Sequence, residues 1–211
     1  MYASAFVLGF HGCDEGVGEK ILSGNTGIGI SGNEHDWLGE GAYFWENSPA
    51  RALHWAKFIR SHPTWFSTRI EKPFVLGAII DLGHCLDLTE AGSLGIVKAA
   101  FEEMKIVFAA AQIQLPSNEK GFSRDEDLIK RKRDCAVINY LHAAREARFM
   151  HANGGAQEHR PYDTVRGAFF EGEPLYEGAG IMAQTHIQLA VRDPKVSIRG
   201  YFRPLPQRDE V

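Results

Sequence analysis

A chain of 211 residues, 44% hydrophobic and 24% charged, is long enough to bury its own core and predicts a single domain over residues 1–211. Its formal net charge of −4 provides no overall basic field to attract nucleic acid or an anionic membrane. No apolar stretch approaches the length of a membrane span, and the N-terminus lacks a secretory signal pattern, so we expect a cytoplasmic protein without a membrane partner. The three cysteines are far apart and never form Cys-x-x-Cys, which favours free thiols over disulfides or a zinc site.

The first third of the chain mixes strands and helices. The predicted elements are, in order, a buried strand at 5–10, a short helix at 15–22, a loop at 24–39, a strand at 42–45 and a helix from 48 to 62. Gly24 is placed to end the first helix. Ser48 and Pro49 offer an N-cap and a first-turn proline to the second helix, which we expect to begin beside Tyr43.

The remainder of the chain combines one strongly apolar strand, two helices and three later strands. The apolar strand at 74–81 is expected in the middle of a sheet, and helices at about 93–112 and 125–148 predict a helical insertion spanning about 89–150. Strands follow at 165–170, 185–191 and 196–202, the last two joined by a turn at 192–195. Because helices and strands do not alternate regularly, the order predicts an α+β fold with antiparallel strands.

Two short motifs carry the most chemical information. His11 and Gly12 follow the first apolar run, and Tyr43 lies in the sequence Gly-Glu-Gly-Ala-Tyr-Phe about thirty residues later. A histidine offers an imidazole to a ribose hydroxyl, whereas a glycine leaves a bare backbone amide for a flat carboxamide. Gly39 and Gly41 remove side chains where a planar ligand must approach an aromatic ring. Together these motifs resemble the ADP-ribosyltransferase superfamily of the diphtheria-toxin and poly(ADP-ribose) polymerase type.

The resemblance implies a split antiparallel β-sheet with flanking helices, beside the helical insertion, and NAD as a substrate without a metal. It implies that His11 hydrogen-bonds a ribose of NAD, that Gly12 clamps the nicotinamide carboxamide, and that Tyr43 stacks on the nicotinamide. The family commonly has a catalytic Glu on a late strand, and Gln188 occupies that position here. A Gln can hydrogen-bond a ribose hydroxyl but has no charge and cannot act as a general base, which argues against chain elongation. The alternative is that Gln188 has a structural role and that its side chain forms hydrogen bonds with backbone groups.

Glu171 and Glu173 form a Glu-x-Glu sequence in the loop before the Gln188 strand. In the resembled fold this loop approaches the acceptor, so either carboxylate, with Glu173 among the proposed catalytic residues, is a candidate acceptor base. Ordinary solvation of both side chains in the loop is the alternative.

The helix after Tyr43 supplies further candidates. Arg51, in its first turn, is expected to meet the pyrophosphate of NAD, and a surface arginine is the alternative. His54 and Trp55 follow one turn later, where the resemblance implies a second aromatic residue facing the nicotinamide. We assign this role to Trp55, with a core position as the alternative.

The segment at 27–32 fits Gly-x-Gly-x-x-Gly but follows a helix and does not open one, so it lacks the context of a Rossmann dinucleotide site. We interpret it as a loop over the adenosine half of NAD, with polar contacts from Ser31, Asn33 and Asp36. The basic run Lys130–Arg133 is interpreted as a solvated helix face, with phosphate binding as the alternative.

These observations predict a mono-ADP-ribosyltransferase that cleaves NAD and transfers ADP-ribose to a macromolecular acceptor, either protein or nucleic acid. Analogy alone adds the expectation of a toxin from a toxin–antitoxin or phage-defence pair, with an antitoxin protein as its partner. The alternatives are an NAD glycohydrolase, a catalytically silent module that binds NAD or ADP-ribose, and RNA binding through residues 130–133.

Overall fold

A computed structural model describes residues 6–120, 128, 130–152 and 157–205. Within them seven strands form one sheet: β1 Phe6–Asp14, β2 Ala42–Glu46, β3 Pro73–Asp81, β4 Cys85–Asp87, β5 Thr164–Phe169, β6 His186–Val191 and β7 Ile198–Phe202. The five α-helices are α1 Glu15–Leu22, α2 Pro49–Ser61, α3 Ala91–Ala110, α4 Lys132–His151 and α5 Pro194–Ser197. The strand order is β4-β5-β6-β2-β1-β3-β7, and only β4 and β5 run parallel. The prediction of a mixed α+β fold with mostly antiparallel strands is therefore confirmed.

The first strand is longer than predicted. It continues beyond Phe10 because β3 pairs with it along its whole length, from Phe6 with Asp81 to Asp14 with Pro73. His11 and Gly12 therefore lie within a strand and not after its end. β3 itself has partners on both sides, β1 and β7, as expected for a strand inside a sheet.

The C-terminal prediction needs two corrections. The strand predicted from 196 begins at Ile198, because residues 194–197 form the short helix α5, whose N-terminus is capped by the Asp193 side chain accepting from the amide of Lys195 at 3.0 Å. The predicted turn at 192–195 overlaps this helix. Strand β4 was not predicted, because three residues are too few for an alternating pattern to be recognised.

The two helices of the predicted insertion are present at 91–110 and 132–151. The residue at which the second helix was predicted to begin, Asp125, lies outside the described residues. Side chains from α3 and α4, including Met104 and Ile138, form a core cluster with Val165 of β5 and Ala190 of β6. None of the helices in the described ranges is long and apolar enough to cross a membrane.

Strand alternation divides the sheet into two faces. Phe10, Trp45 and Gln188 are aligned across β1, β2 and β6, so they share one face, which we call the helical face because α2, α3 and α4 pack on it. The other face carries Phe44 and Leu189 and is covered by α1 and Ile28 of the 24–39 loop.

The two central strands separate soon after they meet. β1 pairs with β2 at only two positions, Gly9 with Glu46 and Phe10 with Trp45. From there β2 runs along β6, as far as the pairing of Ala42 with Val191. Beyond Phe10 and Trp45 the sheet therefore contains a gap, with His11 and Gly12 on its β1 side.

Candidate functional site

His11 lies at this gap. Its Nδ1 is 2.8 Å from the main-chain oxygen of Tyr43, and because a carbonyl can only accept, Nδ1 carries a proton. Burial lowers the pKa of His11, although the hydrogen bond to Tyr43 partly opposes that effect. The ring is therefore neutral at pH 7, and its Nε2 has a free lone pair with no hydrogen-bond partner in the described part of the chain. That nitrogen can accept a hydrogen bond from a hydroxyl group.

Gly12 turns its backbone groups towards the gap. The carbonyl of Leu8 accepts from the amide of Asn47 at 2.9 Å, so it points to the β2 side of β1. Backbone direction repeats every second residue, so the amide and carbonyl of Gly12 point the same way, where the β1–β2 ladder has already ended. The missing side chain also has a packing reason, because a Cβ at Gly12 would lie 2.1 Å from the carbonyl oxygen of Ala52 in α2.

The phenol of Tyr43 is held by main-chain groups. Its hydroxyl donates to the carbonyl of Gly39 and accepts from the amide of Leu38, both at 2.8 Å. Burial raises the pKa of Tyr43 well above its ordinary value, so the hydroxyl stays protonated. The ring packs at the edge of the cluster that contains Ala190, on the helical face. Tyr43 thus fixes the turn before β2, and its stacking on nicotinamide stays a prediction.

Gln188 lies at the centre of the helical face. Its cross-strand neighbours are Trp45 of β2 and Gly167 of β5, and the side chains of Leu38 and Phe169 fill the space beside Gly167. The residue is half-buried, and its side-chain amide has no hydrogen-bond partner within the described residues. The alternative of a Gln satisfied by backbone groups therefore finds no support, and the amide is free to contact a ligand.

Helix α2 brings Arg51 and Trp55 towards the same region. It begins at Pro49 as predicted, but the Ser48 side chain makes no capping hydrogen bond. The Trp55 ring lies 6.1 Å from that of Trp45, and 37% of Trp55 is exposed. This tryptophan therefore lies at the surface beside the cross-strand partner of Gln188.

Arg51 is bound to the loop that follows β5. Its Nη2 donates to Glu171 Oε2 at 3.1 Å and its Nη1 donates to Gln184 Oε1 at 3.2 Å. A phosphate at Arg51 would have to compete with Glu171. Glu173, the other carboxylate of the pair, is exposed, and its main-chain carbonyl accepts from the amide of Ala183. The structure thus brings Glu171, and not Glu173, to the group formed by Arg51 and His186.

His186 belongs to this group and was missed by the sequence analysis. It precedes Gln188 by two residues, so both side chains lie on the helical face. Its side chain is only 1% exposed, and its Nδ1 lies 2.7 Å from the carbonyl oxygen of Gln184 and 3.7 Å from Glu171 Oε2. Burial lowers the pKa of His186, an effect reinforced by Arg51 and partly opposed by the Gln184 carbonyl. Side chains alternate between the two faces of a strand, so the alternation that places Gln188 on this face also places His186 there and would have identified it.

The three polar residues assigned to the adenosine half of NAD contact one another. Asn33 donates from its side chain to Ser31 Oγ at 2.8 Å and from its backbone to Asp36 Oδ2 at 3.0 Å. Ser31 also exchanges both main-chain hydrogen bonds with Gly41, just before β2. The loop is therefore attached to the N-terminal end of β2. Between α1 and β2 no helix follows the Gly-x-Gly-x-x-Gly segment, as expected.

Three of the four basic residues of this run also make contacts within the protein, and Lys130 is exposed. Lys132 forms ion pairs with Glu34 and Glu119 at 3.1 and 3.3 Å. The Arg131 guanidinium lies 4.3 Å from the centre of the Trp37 ring, and Arg133 Nε donates to the Pro116 carbonyl at 2.8 Å. Lys132, Arg131 and Arg133 thus have partners within the protein, and RNA binding through this run stays an untested alternative.

The cysteines are free thiols. Burial raises the pKa of each of Cys13, Cys85 and Cys135 to about 11, so their thiols are protonated at neutral pH. In the described ranges no three His, Cys, Asp or Glu side chains are grouped in a way that could hold a metal ion. Comparison of the chain with protein-family models, with curated proteins and with solved structures finds no match.

Proposed function

We propose that the protein is a mono-ADP-ribosyltransferase that cleaves NAD and transfers ADP-ribose to a macromolecular acceptor. The observation that carries the proposal is the gap between β1 and β2, with His11 and Gly12 on one strand and Tyr43 on the other. His11 and Gln188 lie on opposite faces of the sheet, so a ligand that contacts both must lie across this gap. NAD has the length to do so, with a ribose at each end of its pyrophosphate and a planar amide beyond one of them.

The split antiparallel sheet of the ADP-ribosyltransferase superfamily is the fold we propose. It is supported by the ladders themselves, because β1 follows β3 and β2 follows β6 while the two strands share only two residue pairs. The α3–α4 pair is an addition to that core and lies on the helical face beside β5 and β6.

In the proposed reaction Nε2 of the neutral His11 ring accepts a hydrogen bond from a ribose hydroxyl, and the backbone of Gly12 binds the nicotinamide carboxamide. The bond between ribose C1′ and the nicotinamide nitrogen breaks, and neutral nicotinamide leaves with the electron pair. The ribose then carries positive charge. Gln188 offers its amide oxygen to a ribose hydroxyl but cannot neutralise that charge, so the rate depends on orientation and on the dipoles of the site.

One observation favours a second function. Because Gln188 is uncharged and has no hydrogen-bond partner within the described residues, the same site is also suited to binding NAD or ADP-ribose without cleavage. Binding without nicotinamide release would select this function.

The decisive experiment measures nicotinamide release from NAD by the purified protein, with and without a cell lysate. We expect release that increases with lysate and is lost in His11→Ala. His151→Ala is the matched control, because this histidine is exposed at the end of α4. Release of free ADP-ribose without any labelled macromolecule would identify a glycohydrolase, and absence of release in every condition would overturn the proposed reaction.

The proposed role as a toxin, with an antitoxin partner, is tested in cells. Expression is expected to arrest growth, and His11→Ala is expected to relieve the arrest. Harmless overexpression of the wild-type protein would count against this role while leaving the enzymatic proposal open to the nicotinamide assay.

A further inference from the structure

Three buried polar atoms, on His186 and on two residues near it, have no hydrogen-bond partner within the described residues. They are Trp45 Nε1, Arg51 Nε and His186 Nε2. Trp45 is the cross-strand neighbour of Gln188, and its ring lies 6.5 Å from that of His186. Arg51 contacts Glu171, whose carboxylate lies 3.7 Å from His186 Nδ1. Because buried polar groups are rarely left unpaired, three of them at His186 and the residues near it indicate the position of a ligand group.

The hydrogen-bonding capacity of these atoms is defined. His186 donates from Nδ1 to the carbonyl of Gln184 at 2.7 Å, so its Nε2 has a lone pair and can only accept. The indole nitrogen of Trp45 and the Nε of Arg51 can only donate. The group that satisfies them must therefore both donate and accept hydrogen bonds.

Two charged residues, Glu171 and Arg51, lie beside His186. The Glu171 carboxylate lies 3.7 Å from His186 Nδ1 and is held in place by Arg51 at 3.1 Å. Trp45 of β2 and Phe169 of β5, which also pack near the ring, carry no charge. An imidazolium formed at His186 would thus face one carboxylate, whose charge Arg51 partly offsets.

From this geometry we infer that His186 is the general base that takes the proton of the acceptor, and that the acceptor is a hydroxyl group. The inference rests on the proposed function. A hydroxyl can donate to His186 Nε2 while accepting from Trp45 Nε1. A guanidinium acceptor would bring a second cation towards Arg51 and has no lone pair for the two donors.

The step balances without another reactant. The oxygen of the acceptor hydroxyl forms a bond to ribose C1′ as the bond from C1′ to the nicotinamide nitrogen breaks. Nicotinamide leaves neutral with the electron pair of that bond. The hydroxyl proton moves to His186 Nε2 and is later released to water. Gln188, which cannot take a proton, is left to orient the ribose.

The test compares two nucleophiles, methanol and azide, with NAD and the purified protein. Methanol must lose a proton to form methyl ADP-ribose, whereas azide attacks as an anion with no proton to lose. In His186→Gln we expect methyl ADP-ribose formation to fall about 100-fold, because a positioned base contributes at least that much. We expect formation of ADP-ribosyl azide to be unchanged. His186→Phe, which keeps an aromatic ring in the buried site, is the second variant, and His151→Ala is the control.

The outcomes separate the inference from the proposed function. An equal loss with both nucleophiles would show that His186 supports the site structurally and is not a base. An unchanged methanol rate in His186→Gln would also overturn the inference, while NAD cleavage by the wild-type protein would leave the proposed function standing. If the wild-type protein cleaves no NAD with either nucleophile, the proposed function fails as well.

Discussion

The imidazole of His11 donates a hydrogen bond to the main-chain carbonyl of Tyr43 at 2.8 Å, at the point where their strands part. The two motifs that the sequence separates by about thirty residues are thus joined by one contact, which also fixes the tautomer of the histidine. The side chains of the two residues nevertheless lie on opposite faces of the sheet. His11 therefore contributes to a ligand site through Nε2, and Tyr43 holds it through a backbone oxygen.

Two substitutions at His11 separate these two contacts. His11→Asn keeps a donor close to the position of Nδ1 and removes Nε2, whereas His11→Gln places an amide near the position of Nε2. We expect the Kd for NAD, measured by calorimetry, to rise about tenfold in His11→Asn through the loss of one hydrogen bond. His11→Gln is expected to bind more tightly than His11→Asn. The reverse order would contradict ribose binding through Nε2.

Gln188→Glu introduces a negative charge beside the ribose position. The carboxylate would stabilise the positive charge that develops as nicotinamide leaves, so we expect nicotinamide release to rise about tenfold or more. Gln188→Ala, which removes the contact, is expected to lower it. The comparison is made by chromatography of nicotinamide at saturating NAD. A Gln188→Glu protein slower than Gln188→Ala would argue against placing the reacting ribose at β6.

Gly12→Ala is expected to destabilise the protein even in the absence of NAD. Its Cβ would lie 2.1 Å from the Ala52 carbonyl oxygen, and backbone atoms cannot yield as a flexible side chain can. Overpacking of this kind costs about 1–3 kcal/mol. Gly95→Ala in α3 is the matched control, since its Cβ meets nothing within 4 Å, and it is expected to stabilise the helix by about 1 kcal/mol. Thermal unfolding of both variants tests the contrast.

Because of the buried His142, we expect the free energy of unfolding to fall in acid. Burial, reinforced by the charges of Arg192 and Arg145, lowers its pKa from 6.5 to about 3. Between these values the unfolded chain binds a proton that the folded protein excludes, so stability decreases as the pH falls through this window. The slope for one histidine is at most about 1.4 kcal/mol per pH unit. Urea unfolding at several pH values should show a shallower dependence in His142→Leu than in the wild-type protein. An identical slope would contradict the lowered pKa.

Glu171→Gln and Glu173→Gln compare the two loop carboxylates. Loss of the charge at Glu171 leaves the partly buried Arg51 without its anion and removes the carboxylate beside His186. We therefore expect ADP-ribose transfer to decrease more in Glu171→Gln than in Glu173→Gln. Labelling of a lysate with radioactive NAD measures both. A larger loss of ADP-ribose transfer in Glu173→Gln would favour Glu173, which the sequence analysis placed among the catalytic residues.

Local signals in the sequence were sufficient for the elements that carry the candidate site. The apolar run before His11 predicts β1, the proline after Ser48 predicts the start of α2, and the alternation around Gln188 predicts β6. Each depends on residues within a few positions of one another. The length of β1 was underestimated because its polar end is held by pairing with β3, a partner some sixty residues away in the chain.

Long-range contacts account for what the sequence analysis missed. Glu171 and Glu173 are alike in sequence, and only the position of Arg51 on α2 distinguishes them. The basic run 130–133 has the composition of a solvated face, but its partners Glu34 and Trp37 lie almost a hundred residues earlier in the chain. No local pattern encodes such pairings.

The two-residue ladder between β1 and β2 also has a mechanical consequence. The strands β4-β5-β6-β2 and β1-β3-β7 each have their own continuous hydrogen bonding, and in the described residues only two ladder pairs, at Gly9 and Phe10, and the hydrogen bonds of Leu8 and His11 join them. Spreading these two halves apart would break fewer main-chain hydrogen bonds than separating β1 from β3, which pair at nine positions. The main-chain hydrogen bonding of the sheet is therefore weakest along this line, and the two halves are joined there mainly by side-chain packing, as in the cluster of Phe44 with Ile80.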